Sequence, residues 1–310
     1  MPTIITRGAM SAQAFGFNYK AAGGGAVGTV GIFALGNNTT TRNKYTFACD
    51  TSGAAAAASA ASRYGSAAGN STIGIFALGS VFGSPLTTRN KYTYACDTSG
   101  AAAAASAASS FSSAAGNSTR GIFALGLISG DSTTRNKYTY ACDTNGSATA
   151  ASNASYAGSA AGNATRGIFA LGLASSSPST TRDKYTYACD TNGSATAASN
   201  ASLLGSAAGN STRGIFALGA VSCSTSVTRN KYTYACDTNG TAAAASVASY
   251  AGSAAGNSTR GIFALGSTPG SSTTRDKYTY ACDTNGSAAA ASAASQQGSA
   301  ASNGICGVNV

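Results

Sequence analysis

Cysteine is the residue type best placed to do chemistry in this chain. Cys49, Cys96, Cys142, Cys189, Cys236 and Cys282 recur at intervals of 46 or 47 residues, each within a near-copy of KYTYACDTNG. Such thiols could ligate a metal, form disulfides, act as nucleophiles or fill a core. The rest of the sequence narrows these choices. There is no histidine and no tryptophan, and all nine acidic residues are aspartate. A serine or cysteine triad lacks its usual imidazole base, and zinc or copper sites lack their commonest nitrogen ligand. Neither a C-x-x-C pair nor a framework of paired spacings accompanies the six cysteines. The expectation is a chain without catalytic residues, metal or cofactor.

The elements that must position these residues are repeats. GIFALG begins at Gly31, Gly74, Gly121, Gly167, Gly214 and Gly261, and a typical unit reads GSAAGNSTRGIFALG, a variable bridge, TTRNKYTYACDTNG and SATAASNAS. Four strands are legible in that unit. GSAAGN ends in a turn signal, and RGIFALG is apolar on both faces, as in a strand buried on both sides. NKYTYACDT is rich in strand-forming Tyr and Thr, and the NG or SG after it is a hairpin turn into the Ala/Ser strand. Four short antiparallel strands per unit predict an all-β propeller of four-stranded blades.

The unit resembles the kelch-type β-propellers in its small-residue first strand, its apolar second strand ending in glycine, and its tyrosine-bearing third strand before a tight turn. The usual double glycine is reduced here to ALG and the kelch tryptophan is missing. ITRGAMSAQAFGF near the amino terminus, followed by propeller repeats, is similar to the kelch-like propellers encoded by tailed phages and prophages. That resemblance implies a tail-associated protein, carried on a virion, that contacts a host surface or the phage's own tail and assembly proteins.

The ends suggest a closure. GSAASNGICGVNV matches the first two strands of a further blade, and PTIITRGAMSAQAFGF could supply its third and fourth. The chain is therefore expected to be one propeller over residues 1–310, with six complete repeats over 19–295. A seventh blade would be assembled from 1–18 and 296–310; six blades is the alternative. Equivalent cysteines on stacked sheets should lie about 10 Å apart, beyond the reach of a disulfide. Alternation puts Tyr138, Tyr140 and Cys142 on one face, so the cysteines are expected to be small buried side chains between blades. Cys223 and Cys306 are read as free thiols, in keeping with a reducing compartment.

Tracing the strands up and down places the uniform turns, GNST and DTNG, on one face. The divergent bridges and the links between units fall on the other. The chain carries 19 basic against nine acidic residues, a net charge of +10. Arg42, Arg89, Arg135, Arg182, Arg229 and Arg275, with Lys44, Lys91, Lys137, Lys184, Lys231 and Lys277, are read as a basic ring on the variable face. Tyr64, Phe82, Phe111, Tyr156 and Tyr250 would stack on sugar rings or bases on the same face. Asp143 and its equivalents would pair with arginines such as Arg120 across adjacent strands.

Several readings of function stay open. In the first, the ring grips an anionic glycan or another envelope polymer. In the second, the ring only keeps an Ala/Ser surface soluble, and the propeller is a scaffold docking on another protein. Nucleic-acid binding suits the charge but lacks a recognised motif. No run of about 20 apolar residues reads as a membrane span. The opening residues lack the apolar core of a signal peptide, which predicts cytoplasmic synthesis without a leader.

Overall fold

Small residues decide the centre of this molecule. The computed structural model describes residues 28–222 and 224–304, together with the backbone of Val308–Asn309. These residues form strands and turns, with no helix. In one unit Ser66–Gly69, Ile73–Ala77, Arg89–Thr93 and Thr98–Ala102 lie side by side in chain order, antiparallel throughout. The first strand, SAAG, is buried along its whole length, which only short side chains permit beside five like neighbours. The third, RNKYT, buries arginine, asparagine and tyrosine, and the fourth is largely exposed.

Six such sheets form among the described residues. We number them blades I to VI by their third strands, Arg42–Thr46, Arg89–Thr93, Arg135–Thr139, Arg182–Thr186, Arg229–Thr233 and Arg275–Thr279. The first strands pack against one another in a closed circle, in which Ser299–Ser302 stands between Ser253–Gly256 and Ser66–Gly69. The expectation of seven blades is corrected by this circle. The carboxy-terminal SAAS strand does not begin a new blade; it pairs with Val30–Ala34, Ser302 opposite Gly31 and Ser299 opposite Ala34, and completes blade I. Blade I otherwise offers a free inner edge, and pairing it ties the two ends of the ring together. The third and fourth strands expected from residues 1–18 lie outside the described residues. The backbone of Val308–Asn309 pairs with Ala160 and Ala161 and with Ala207, and approaches the first strand of every blade, so it runs within the central channel.

Between neighbouring blades the core is aromatic and aliphatic: Ile75, Phe76 and Tyr92 are fully buried, as are their equivalents. Side-chain hydrogen bonds then join each blade to the next. Near the axis, the Nδ2 of Asn70, Asn117, Asn163, Asn210 and Asn257 donates to a turn carbonyl of the following blade. Farther out, the carboxylate of Asp97 accepts from Tyr92 of its own blade and from Lys44 and the Ala56 N–H of the preceding blade. The same four-group cluster recurs at the other five junctions, including Asp50 with Lys277, which closes the ring.

Candidate functional site

The basic ring expected on the surface lies in the interior. All six arginines are 1% exposed. Arg42 of blade I donates through Nη2 to Asn90 Oδ1 at 3.2 Å and through Nη1 to Ser99 Oγ at 2.9 Å, both in blade II. Its guanidinium lies 4.5 Å from the centre of the Phe76 ring, a cation–π contact. The other five repeat this arrangement on Phe123, Phe169, Phe216, Phe263 and Phe33. Burial lowers Arg42, Arg89, Arg182 and Arg275 to about 10. These arginines hold blades together and cannot grip a polymer. Sequence alternation missed this because arginine opens a strand that faces the next blade, not solvent.

The six lysines are corrected as well. Lys44, Lys91, Lys137, Lys184, Lys231 and Lys277 are half-buried, and each forms an ion pair with an aspartate of the next blade. Those aspartates stand at the uniform turns, so the lysine ring has an acidic complement. Burial opposes ionisation of Asp50, Asp97, Asp143 and Asp283, but hydrogen bonds from lysine, tyrosine and a backbone N–H outweigh it and hold them at about 2. The expected pairing of Asp143 with Arg120 is not formed: Arg120 Nη1 donates to the Tyr187 carbonyl at 3.0 Å.

The cysteines are corrected in the opposite sense. Cys49, Cys96, Cys142, Cys189, Cys236 and Cys282 are exposed and free. The third strand ends at Thr139, so Cys142 sits in the turn beyond it, where alternation no longer applies. Cys223 and Cys306 lie outside the described residues. Among the described residues no three metal-ligating side chains converge.

What remains is the variable face, and there the sequence reading of the topology holds. Bridges and links hydrogen-bond to one another, as in Leu86 with Ser109 and Ser179 with Ser202. Each link also pairs with the bridge of the next blade: Ser155–Tyr156 with Leu173–Ala174, and Ser202–Leu203 with Ala220–Val221. The final glycine of GIFALG makes this approach possible. Gly79 has φ +71°, and a Cβ there would stand 2.3 Å from the Arg63 carbonyl oxygen. The strand-ending glycine is therefore a requirement of this face.

At the axis each link turns through one left-handed residue: Tyr64, Phe111, Ala157, Leu204, Ala251 or Gln297, with φ between 53° and 58°. Five of the six junctions carry a backbone hydrogen bond from one such residue to the preceding one, as from Leu204 N–H to Ala157 O and from Ala251 N–H to Leu204 O, both 2.8 Å. The ring surrounds a small, open apolar depression lined by these six residues. On one side Tyr64 and Phe111 stack with ring centres 3.7 Å apart, and Phe111 meets the edge of Tyr156 at 5.7 Å. Arg63 lies over Tyr64 at 4.3 Å and donates to its hydroxyl. A rigid backbone ring thus gathers three aromatic side chains beside one cation at the rim of an apolar depression.

Of the aromatic residues read as a group from sequence, the structure brings together Tyr64, Phe111 and Tyr156. Tyr250 borders a separate cavity with Leu204 and Leu265. Phe82 stands alone at a bridge tip, 80% exposed. Leu204, Ala251 and Gln297 were not among the candidate residues. Their register was the available signal, since each occupies the place taken by Tyr64 in its own link.

No family model and no curated protein matches this chain. Among solved structures, the one titled "Structure of YjhT" is similar over 80% of this chain and 93% of its own, with a TM-score of 0.59 at 11% identity. At that identity the likeness is one of fold. It agrees with a propeller-like repeat of antiparallel four-stranded sheets.

Proposed function

We propose that the chain is a non-catalytic binding propeller whose reading surface is the variable face around the axis. One observation carries this reading: units that are nearly identical in their four strands differ in the bridges and links of one face, and line the axial depression with Tyr, Phe, Ala, Leu, Ala and Gln. A purely architectural ring would have no need of such differences. The class of ligand is a glycan of an envelope polymer, with a sugar ring packing into the apolar depression beside the Tyr64–Phe111 stack and Tyr156. Arg63 would select a nearby hydroxyl or carboxylate. Attraction of a polyanion, glycan or nucleic acid, by the repeated arginines and lysines has no place in this reading, because those residues are buried or ion-paired. The phage resemblance extends the proposal to a chain carried on a virion, after synthesis in the cytoplasm, that presents this face to a host envelope.

The test is binding to immobilised lipopolysaccharide, teichoic acid and capsular polysaccharide, with single-stranded DNA as the competing polyanion. Wild type should bind one of the glycans, and Y64A/F111A should lose that binding while keeping its unfolding midpoint. Loss of binding by a folded wild type to every glycan, or equal binding by the variant, would reject the reading. A scaffold role on the opposite face draws on the six near-identical turns bearing exposed cysteines. Capture of a protein partner that is blocked by thiol alkylation would favour it.

A further inference from the structure

Four of the six bridges on the variable face turn through a left-handed residue at the same place: Asn37, Phe82, Ser175 and Ser222, with φ between 44° and 54°. Asparagine takes this conformation readily and serine is small, but for a bulky ring it is an outlier. Single exposed apolar residues are ordinary on a protein surface. Phe82 differs from them in being 80% exposed on a strained backbone. The strained tip is braced from outside its own hairpin. Asn38 Oδ1 of blade I accepts from the Phe82 N–H at 3.0 Å, and Asn37 Nδ2 donates to Ser271 Oγ of blade VI at 3.1 Å. An unfavourable backbone held in place by a neighbour marks a position where the placement of the side chain matters more than stability.

The tip is also joined to the axial depression. Arg63 and Ser80 exchange backbone hydrogen bonds of 3.0 and 2.9 Å, so the hairpin of Ser80–Val81 with Ser84–Pro85 starts beside the arginine that lies over Tyr64. Strand spacing and rise put the Phe82 backbone within about 15 Å of Tyr64 along this path. That span exceeds one sugar ring and lies within a short oligosaccharide. The surroundings of the ring fix the class of contact. Gly83, Ser84 and Asn38 adjoin it, and among the described residues the other exposed large apolar side chains, Val227 and Val247, belong to blade V. A protein partner would call for a contiguous apolar patch around its anchor. One aromatic face beside hydroxyl and amide groups matches a single sugar ring, apolar on its C–H face and polar at its edge.

We propose that Phe82 is an outlying sugar-stacking subsite, so that the ligand is a glycan chain running from the axial depression over Arg63 to the blade II bridge, and not a single terminal sugar. The inference rests on the reading of the axial ring as a glycan site. Contact at Phe82 is through the ring alone, because its N–H is already bonded to Asn38; amide exchange at the tip therefore stays as in the free chain.

Calorimetric titration of the full chain tests this with lipopolysaccharide, teichoic acid and capsular polysaccharide, each intact and as sized fractions of its partial hydrolysate. For the polymer that wild type binds, F82N should lower the affinity of the intact chain about three- to tenfold. It should leave the affinity of the smallest bound fraction unchanged. F82W should keep wild-type affinity for both, and Y64A/F111A should lose both. Asparagine accepts the left-handed turn, so F82N should also unfold about 1–3 °C higher than wild type. A lower midpoint would overturn the strain argument. Equal affinity of F82N and wild type for every fraction, or an equal loss for the smallest fraction and the intact chain, would overturn the subsite and leave the axial reading standing. No binding of any polymer by folded wild type would overturn both.

Discussion

Replacing Phe47 with tyrosine should destabilise this protein, although tyrosine occupies that place in five of its six blades. The reason lies across the sheet. In blade II a Cβ at Gly69 would stand 2.9 Å from the Tyr94 hydroxyl oxygen, and one at Gly74 would stand 2.7 Å away. Both positions are glycine wherever the ring is tyrosine. In blade I the inner strand is the carboxy-terminal SAAS, so the residue opposite Gly31 is Ser302, and the ring is Phe47. The Phe47 Cζ would already be 3.3 Å from a Cβ at Gly31. A hydroxyl extends the ring toward Ser302, whose Cβ is real. Overpacking of this kind costs about 1–3 kcal/mol. S302G alone should cost about 1 kcal/mol, through lost chain stiffness and the lost hydrogen bond from Ser302 Oγ to the Gly256 carbonyl. Combined with F47Y it should remove the clash, giving a favourable coupling of about 1–2 kcal/mol. Urea unfolding of the four proteins, with unchanged m-values, measures this cycle. Wild-type stability in F47Y, or strict additivity in the double variant, would refute the pairing of Phe47 with Ser302.

Three further outcomes follow from the inter-blade contacts. The six turn aspartates are held below their usual 3.8, several at about 2, so the stability they contribute is complete above about pH 4. It should fall as pH drops toward 2, measured as unfolding midpoint against pH. At least six thiols should react with a chromogenic disulfide reagent in the native state; reaction only after unfolding would return the cysteines to the core. R182M should lower stability by about 1–3 kcal/mol in urea unfolding, because it breaks hydrogen bonds to the buried Asn230 and the half-buried Asn239 and leaves their amide oxygens short of a donor.

The repeat made the fold legible. Periodic GIFALG and the NG turns fixed the four strands, their order and the face carrying the variable segments, because strand alternation and turn chemistry are local. The faces of individual side chains were harder to read. Arg89 opens a strand that packs against the next blade, so its charge is buried by a neighbour 47 residues away at Asn136. Cys96 stands one residue before an aspartate in left-handed conformation, where the strand has ended and its alternation with it. The blade count had a readable signal. The single phenylalanine among the TYACD segments, Phe47, and the single serine ending a SAAG strand, Ser302, are complementary deviations that assign the tail to blade I.

The central claim, that the divergent axial ring reads a ligand while the basic residues only join blades, is tested most directly by hydrogen exchange. The chain would be compared with and without the polysaccharide that it binds most tightly. Protection confined to the links at 62–66, 109–112, 155–158, 202–205, 249–252 and 295–298, unchanged between low and moderate salt, is the predicted result. Protection at the cysteine-bearing turns instead, or binding lost as salt rises, would contradict it.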